Sequence, residues 1–145
     1  MQIDELDKAL LALLQENARM PVAMLARRLG LARTTVQARL DRLETTGIIQ
    51  GYTLRLDTRL EAPLHATALL SIEPRSAPTV LSRLASLPGV RTVHTTSGRW
   101  DLIVRLEAET TEALDETLDR IGEAKGVKSS ESLIHLSTKL DRRGA

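Results

Sequence analysis

Six arginines fall between positions 19 and 42, namely Arg19, Arg27, Arg28, Arg33, Arg39 and Arg42, against one acid, Asp41. A guanidinium presents five N–H donors in a planar fork, which suits phosphate oxygens and the O6 and N7 acceptors of guanine. Gln37 carries the donor and acceptor that match adenine N7 and N6, and the methyls of Thr34 and Ala38 suit a thymine methyl. Thr35 adds a hydroxyl that can donate to a phosphate oxygen. The chemistry on offer is contact with duplex DNA. Arg33, Thr34, Gln37 and Ala38 are the base readers, while Arg27, Arg28, Arg39 and Arg42 bind phosphates or support the fold. A basic stripe is, on charge alone, more often a solvated helix face, and Asp41 and Glu44 offer Arg39 surface ion pairs, so both readings stay open for it.

A second cluster, Ser97-Gly98-Arg99-Trp100-Asp101, has different chemistry. An α-amino acid needs amide or hydroxyl donors for its carboxylate and a carboxylate for its ammonium. Gly98 leaves backbone amides accessible, and Asp101 supplies the carboxylate. The plainer alternative is a tight hairpin in which Asp101 caps amides and Trp100 packs against another subunit. Ser130 and Ser132 alternate onto one face of a late strand, where hydroxyls could serve the same ligand. His65, His94 and His135 share neither helical spacing nor a partnering carboxylate motif, so they are expected as ordinary sheet residues and no metal site is expected. No cysteine, no Ser-His-Asp set and no glycine-rich phosphate loop is present, which speaks against an enzyme.

The elements that must position these residues follow from periodicity. Leu6, Leu10, Leu13 and Leu14 stripe a helix over residues 4–17, with Asp4 as cap and Asp7 three residues on. Val22, Leu25, Ala26 and Leu29 stripe a second, ended by Gly30. Val36, Leu40 and Leu43 line a third over 32–46, ended by Gly47. Three short helices with a glycine turn between the second and third make a helix-turn-helix, and Arg33, Thr34, Gln37, Ala38, Arg39 and Arg42 lie on the outer face of its third helix. Residues 52–56 alternate as a connecting strand.

The remainder reads as a βαβ unit twice over. Strands are expected at 66–73, 90–96, 102–107 and 127–138, and helices at 78–87, with Val80, Leu81, Leu84 and Leu87 inward, and at 111–122, with Leu114, Leu118 and Ile121 inward. Tandem βαβ units give a ferredoxin-like sheet with both helices on one face. The consecutive apolar run Leu102-Ile103-Val104 suits a strand buried on both sides, so the bare face is expected to be covered by a second subunit. The fold class is therefore α+β, a winged-type helix-turn-helix over residues 1–50, a connecting strand and linker over 51–63, and a βαββαβ domain over 64–145.

The core must come from Leu, Val, Ile and Ala, because Tyr52 and Trp100 are the only aromatics. The absence of cysteine fits a reducing cytoplasm, the start Met-Gln-Ile-Asp-Glu-Leu-Asp is acidic where a signal peptide is basic, and no apolar run approaches the roughly 20 residues of a membrane span. A cytoplasmic protein without a membrane partner is expected.

In four segments the chain resembles the Lrp/AsnC (feast/famine) family of transcriptional regulators. They are Ile3-Asp4-Glu5-Leu6-Asp7; Leu25-Ala26-Arg27-Arg28-Leu29-Gly30-Leu31 with Val36, Arg39 and Leu40; Arg42-Leu43-Glu44-Thr45-Thr46-Gly47-Ile48-Ile49-Gln50-Gly51-Tyr52; and the Ser97–Asp101 loop. The resemblance runs from Ile3 to about Lys139. It implies a DNA-binding head on an effector-binding domain, often called the RAM domain, that forms homodimers and assembles them into tetramers or octamers. It also implies no resident cofactor and an amino-acid effector near the contact between dimers, with Gly98, Arg99, Trp100, Asp101, Ser130 and Ser132 at positions of the effector site. Ala32 departs from the serine that commonly caps the recognition helix, Pro21 with Met24 replaces a frequent capping pair, and Arg99 stands where many members carry an acidic or small polar residue. A few relatives of this domain order act as tetrapyrrole decarboxylases, but that activity wants an aromatic, His-lined cleft. The remaining alternative is an architectural protein that wraps DNA with little effector response.

Overall fold

A computed structural model describes residues 2–142, which divide into two compact units, one running to Arg55 and taking in Asp141 and Arg142, the other Leu56–Leu140. The first unit holds three helices, α1 (Glu5–Glu16), α2 (Val22–Leu29) and α3 (Arg33–Thr45). Helix α1 starts on a capping box: Asp4 accepts from the Asp7 N–H at 2.8 Å and the Asp7 carboxylate accepts from the Asp4 N–H at 3.2 Å. Leu10 of α1, Leu25 and Ala26 of α2, and Val36, Leu40 and Leu43 of α3 bury themselves against one another, joined by Met20. Leu6, at the edge of the α1 stripe, stays exposed.

The turn between α2 and α3 is set by Gly30 at φ 66°, a conformation that costs a residue with a β-carbon free energy. Its N–H and that of Leu31 return to the last carbonyls of α2, Leu31 to Ala26 at 2.9 Å. Neither Pro21 nor Ala32 caps its helix through a side chain, so α2 and α3 begin with amides that only solvent or a ligand can satisfy.

The expected connecting strand is not formed within the chain. Residues 51–57 make no ladder, so no wing follows α3, and Tyr52, Leu54 and Leu56 are exposed. Alternation fixes which way side chains point, but a strand also needs a neighbour for its backbone. A single 3-10 turn, Thr58–Leu60, follows.

The second unit is a four-stranded antiparallel sheet of β1 (Leu64–Ile72), β2 (Val90–Thr95), β3 (Leu102–Ala108) and β4 (Val127–Ile134), in the order β2-β3-β1-β4, with α4 (Ala77–Ala85) and α5 (Thr111–Gly122). Ala66, Ala68 and Leu70 of β1 and Leu102, Val104 and Leu106 of β3 form one core with Val80 and Leu84 of α4 and Leu114 and Ile121 of α5. Leu81, expected inward, is 40% exposed, because the buried Val80 and Leu84 already define the inner face. Strand β4 ends at Ile134, short of 138, although one further bond joins the His135 N–H to the His65 carbonyl. The register places His65, Thr67 and Leu69 of β1, Ile103, Arg105 and Glu107 of β3, and Glu131 and Leu133 of β4 on the opposite, helix-free face.

Candidate nucleic-acid interface and effector loop

Burial of Val36, Leu40 and Leu43 fixes the roll of α3 and leaves Arg33, Thr34, Thr35, Gln37 and Ala38 exposed along its amino-terminal half. Arg27 and Arg28, at the end of α2, lie outside the core that Leu25 and Ala26 enter. The Gln37 amide donates to Asp41 at 2.8 Å, one turn on, which aligns its side chain along the helix.

Arg39 and Arg42 are held elsewhere. Arg39 Nη1 donates to both carboxylate oxygens of Asp4 at 2.8 Å and to Asp7 Oδ1 at 2.9 Å, and Arg42 Nη2 donates to Asp7 Oδ2 at 2.6 Å. The expected partners of Arg39 are otherwise engaged: Asp41 takes Gln37, and Glu44 accepts from the Tyr52 hydroxyl at 3.0 Å. Asp7 is fully buried. The hydrogen bond from Arg39, followed by the Asp7 N–H, lowers the Asp4 pKa to about 2, and the same carboxylates, Asp4 first, raise that of Arg39. Burial first, then the bond to Glu44, raises the Tyr52 phenol. Sequence reasoning missed this cluster because a helix cap alone accounted for Asp4 and Asp7, and their guanidinium partners lie more than thirty positions away.

The loop between β2 and β3 is a short closed turn. The Thr96 N–H donates to the Asp101 carbonyl at 3.0 Å, the Thr96 hydroxyl donates to the Trp100 carbonyl at 2.6 Å, and Gly98 sits at φ 101°. Asp101 is tied to β1 at two points: its N–H donates to the Leu70 carbonyl at 2.8 Å and its Oδ2 accepts from the Ile72 N–H at 2.9 Å. That second bond satisfies an amide at the point where the β1–β4 register shifts. The Arg99 guanidinium lies 5.3 Å from the centroid of the half-buried Trp100 ring, a cation–π contact. Ser130 and Ser132 are exposed on β4 opposite Leu70 and Ala68, which brings Ser130 into line with the stem of the loop and leaves Ser132 one row further on.

His65 and His135 stack with ring centroids 6.4 Å apart, and His135 Nε2 shares a 2.8 Å hydrogen bond with the Thr67 hydroxyl. Among the described residues no three His, Asp or Glu side chains converge as metal ligands, and no helix is long and apolar enough to cross a membrane.

Residues 3–44 match the AsnC-type helix-turn-helix domain and residues 65–145 the Lrp/AsnC ligand binding domain. An HTH-type transcriptional regulator of Pyrococcus horikoshii is 33% identical over 94% of each chain. The HTH-type transcriptional regulator LysM of Saccharolobus solfataricus is 30% identical over 94% of this chain and 95% of its own. Among solved structures, E. coli AsnC superposes with a TM-score of 0.87 at 26% identity, covering 98% of this chain and 97% of its own. A Neisseria meningitidis transcriptional regulator in complex with L-Met shares the fold, with a TM-score of 0.85 at 24% identity over 97% of this chain and 94% of its own. A DNA-binding helix-turn-helix unit followed by a ligand-binding sheet unit, matched along nearly the whole chain, makes this protein a member of the Lrp/AsnC family of transcriptional regulators.

Proposed function

We propose that this regulator reads specific duplex sequences with the amino-terminal half of α3, answers to an amino acid at the Ser97–Asp101 loop, and works as a homodimer that assembles into tetramers or octamers. One observation carries the DNA part: with Val36, Leu40 and Leu43 buried, Arg33, Thr34, Gln37 and Ala38 are exposed, together with Thr35, at the end of α3 that enters a major groove first. Arg27, Arg28 and Thr35 contact phosphates, and the starts of α2 and α3, which carry no side-chain cap, offer backbone amides for the same purpose. Arg39 and Arg42 anchor α3 to α1. The helix-free face, with half-buried Leu69 and Ile103 at its centre, supports pairing with a second copy.

Arg33→Ala or Gln37→Ala is expected to weaken binding to a selected operator by about 1–3 kcal/mol while leaving the dimer intact. Competition binding with operator and scrambled duplexes, alongside sedimentation, checks it, and operator binding at the wild-type level by both variants would overturn the assignment. For the effector, Asp101 and the loop amides face the ammonium and carboxylate of an amino acid, with Ser130 and Ser132 as flanking hydroxyls. Trp100, the only tryptophan, is expected to change fluorescence saturably with at least one common amino acid. The architectural reading has one observation in its favour, since the Asp101 carboxylate already serves the Ile72 amide, and a flat response to every common amino acid would decide for it.

A further inference from the structure

We propose that Asp4 and Asp7 act as internal stand-ins for DNA phosphate: they occupy the guanidiniums of Arg39 and Arg42, hold down the sequence-independent attraction of the head for DNA, and thereby sharpen its sequence preference. The inference rests on α3 being the element that meets DNA. Of the five arginines on α2 and α3, Arg39 and Arg42 face two carboxylates at the start of α1, its cap Asp4 and Asp7, at 2.6–2.9 Å, whereas Arg27, Arg28 and Arg33 lie outside that cluster. Two positive and two negative charges make a neutral cluster, so these arginines add little to the field that draws in a duplex. The arrangement copies what a phosphate offers a guanidinium, namely paired oxygens at charge-assisted distance.

The cluster also sits at the right place to matter. Arg39 directly follows the last base-reading residue, Ala38, and Arg42 lies about one turn beyond it, where a groove-bound helix runs beside the phosphate backbone. Their side chains retain 21% and 45% exposure, so a duplex could engage them if the carboxylates released them. Asp7 is buried completely and therefore far less free to leave than a surface partner would be, while Asp4, 54% exposed, is tied down by its second bond as the helix cap. Asp4 and Asp7 are thus positioning residues, acting through Arg39 and Arg42 and touching no base themselves.

The sign of the effect separates this role from a merely structural one. Loss of structure weakens DNA binding, whereas release of two guanidiniums strengthens non-specific binding and its salt dependence. In the full chain, Asp4→Asn/Asp7→Asn is expected to bind a 30-base-pair duplex of random sequence roughly tenfold more tightly at about 0.1 M salt, with a log–log salt slope steeper by about 0.9 for each additional phosphate neutralised. The sequence preference recovered by selection from a random duplex library should fall in parallel. Asp4→Asn alone keeps a capping side chain and a folded head and should show the same change at smaller size. Arg39→Gln/Arg42→Gln in the otherwise unchanged chain should leave the salt slope as it is, whereas Arg27→Gln/Arg28→Gln should flatten it.

Unchanged or weaker non-specific binding by folded Asp4→Asn would overturn the proposal, as would a flattened slope in Arg39→Gln/Arg42→Gln. If Arg33→Ala still lowers operator binding in that case, the role of α3 stands and this inference alone fails. If Arg33→Ala and Gln37→Ala also have no effect, the failure belongs to the reading of α3.

Discussion

In the sheet unit every fully buried side chain is apolar, from Leu70 on β1 to Leu84 on α4 and Ile121 on α5, whereas the three-helix unit buries Asp7 as completely as Leu10 and Leu43. The sheet can rely on apolar area because its ladder already fixes direction and register. Three short helices have no such ladder, and leucines packed on leucines tolerate small rotations. Directional bonds from Arg39 and Arg42 to one buried carboxylate remove that freedom at the helix that must present its side chains at a set angle.

The contrast is tested most severely in the two cores. Leu70→Ala should cost the sheet unit about 2–5 kcal/mol with little dependence on salt, while Asp7→Ala should cost the three-helix unit about 2 kcal/mol, because Arg42 loses its carboxylate and Arg39 keeps only Asp4. Hydrogen exchange of β1 and α3 amides at low and high salt reads both, and equal salt dependence would erase the distinction. A smaller contrast lies in two glycines. A β-carbon at Gly126, at φ 100°, would meet Ser76 Cβ at 2.7 Å, whereas Gly30 at φ 66° has open space around it. Gly126→Ala should therefore cost about 2 kcal/mol or more and Gly30→Ala about 1 kcal/mol, by thermal unfolding.

The smallest expected effect appears in acid. The Asp4 pKa is about 2 in the folded protein against an ordinary 3.8, so the unfolded state binds its proton first as pH falls. Its contribution is complete above about pH 4 and is lost as pH drops through 2. NMR amide signals of α1 and α3 should accordingly weaken before those of β1 and β3 in that window, and Asp4→Asn should remove the difference.

Most of the scaffold was legible from leucine spacing, because helices and strands of this size bury one face and their periods differ. Helix α5 runs over 111–122 as its apolar positions require, and the paired βαβ halves give the sheet order. What stayed hidden depends on partners distant in sequence. The 52–56 alternation lacks a ladder neighbour, the end of β4 depends on where β1 begins, and the pairing of Arg39 lies 35 positions upstream. In the loop, the bond from the Ile72 N–H to the Asp101 carboxylate realises the amide-capping role weighed for that residue.

The bonds between α1 and α3 limit how this head can be retargeted. Positions 33, 34, 37 and 38 face outward, so under the proposed DNA-reading role of α3 they can be exchanged for those of another regulator without disturbing the α1–α3 bonds. A graft of the whole third helix must bring along the first turn of α1, because a donor lacking arginines at positions 39 and 42 would strand two carboxylates, one of them in the interior.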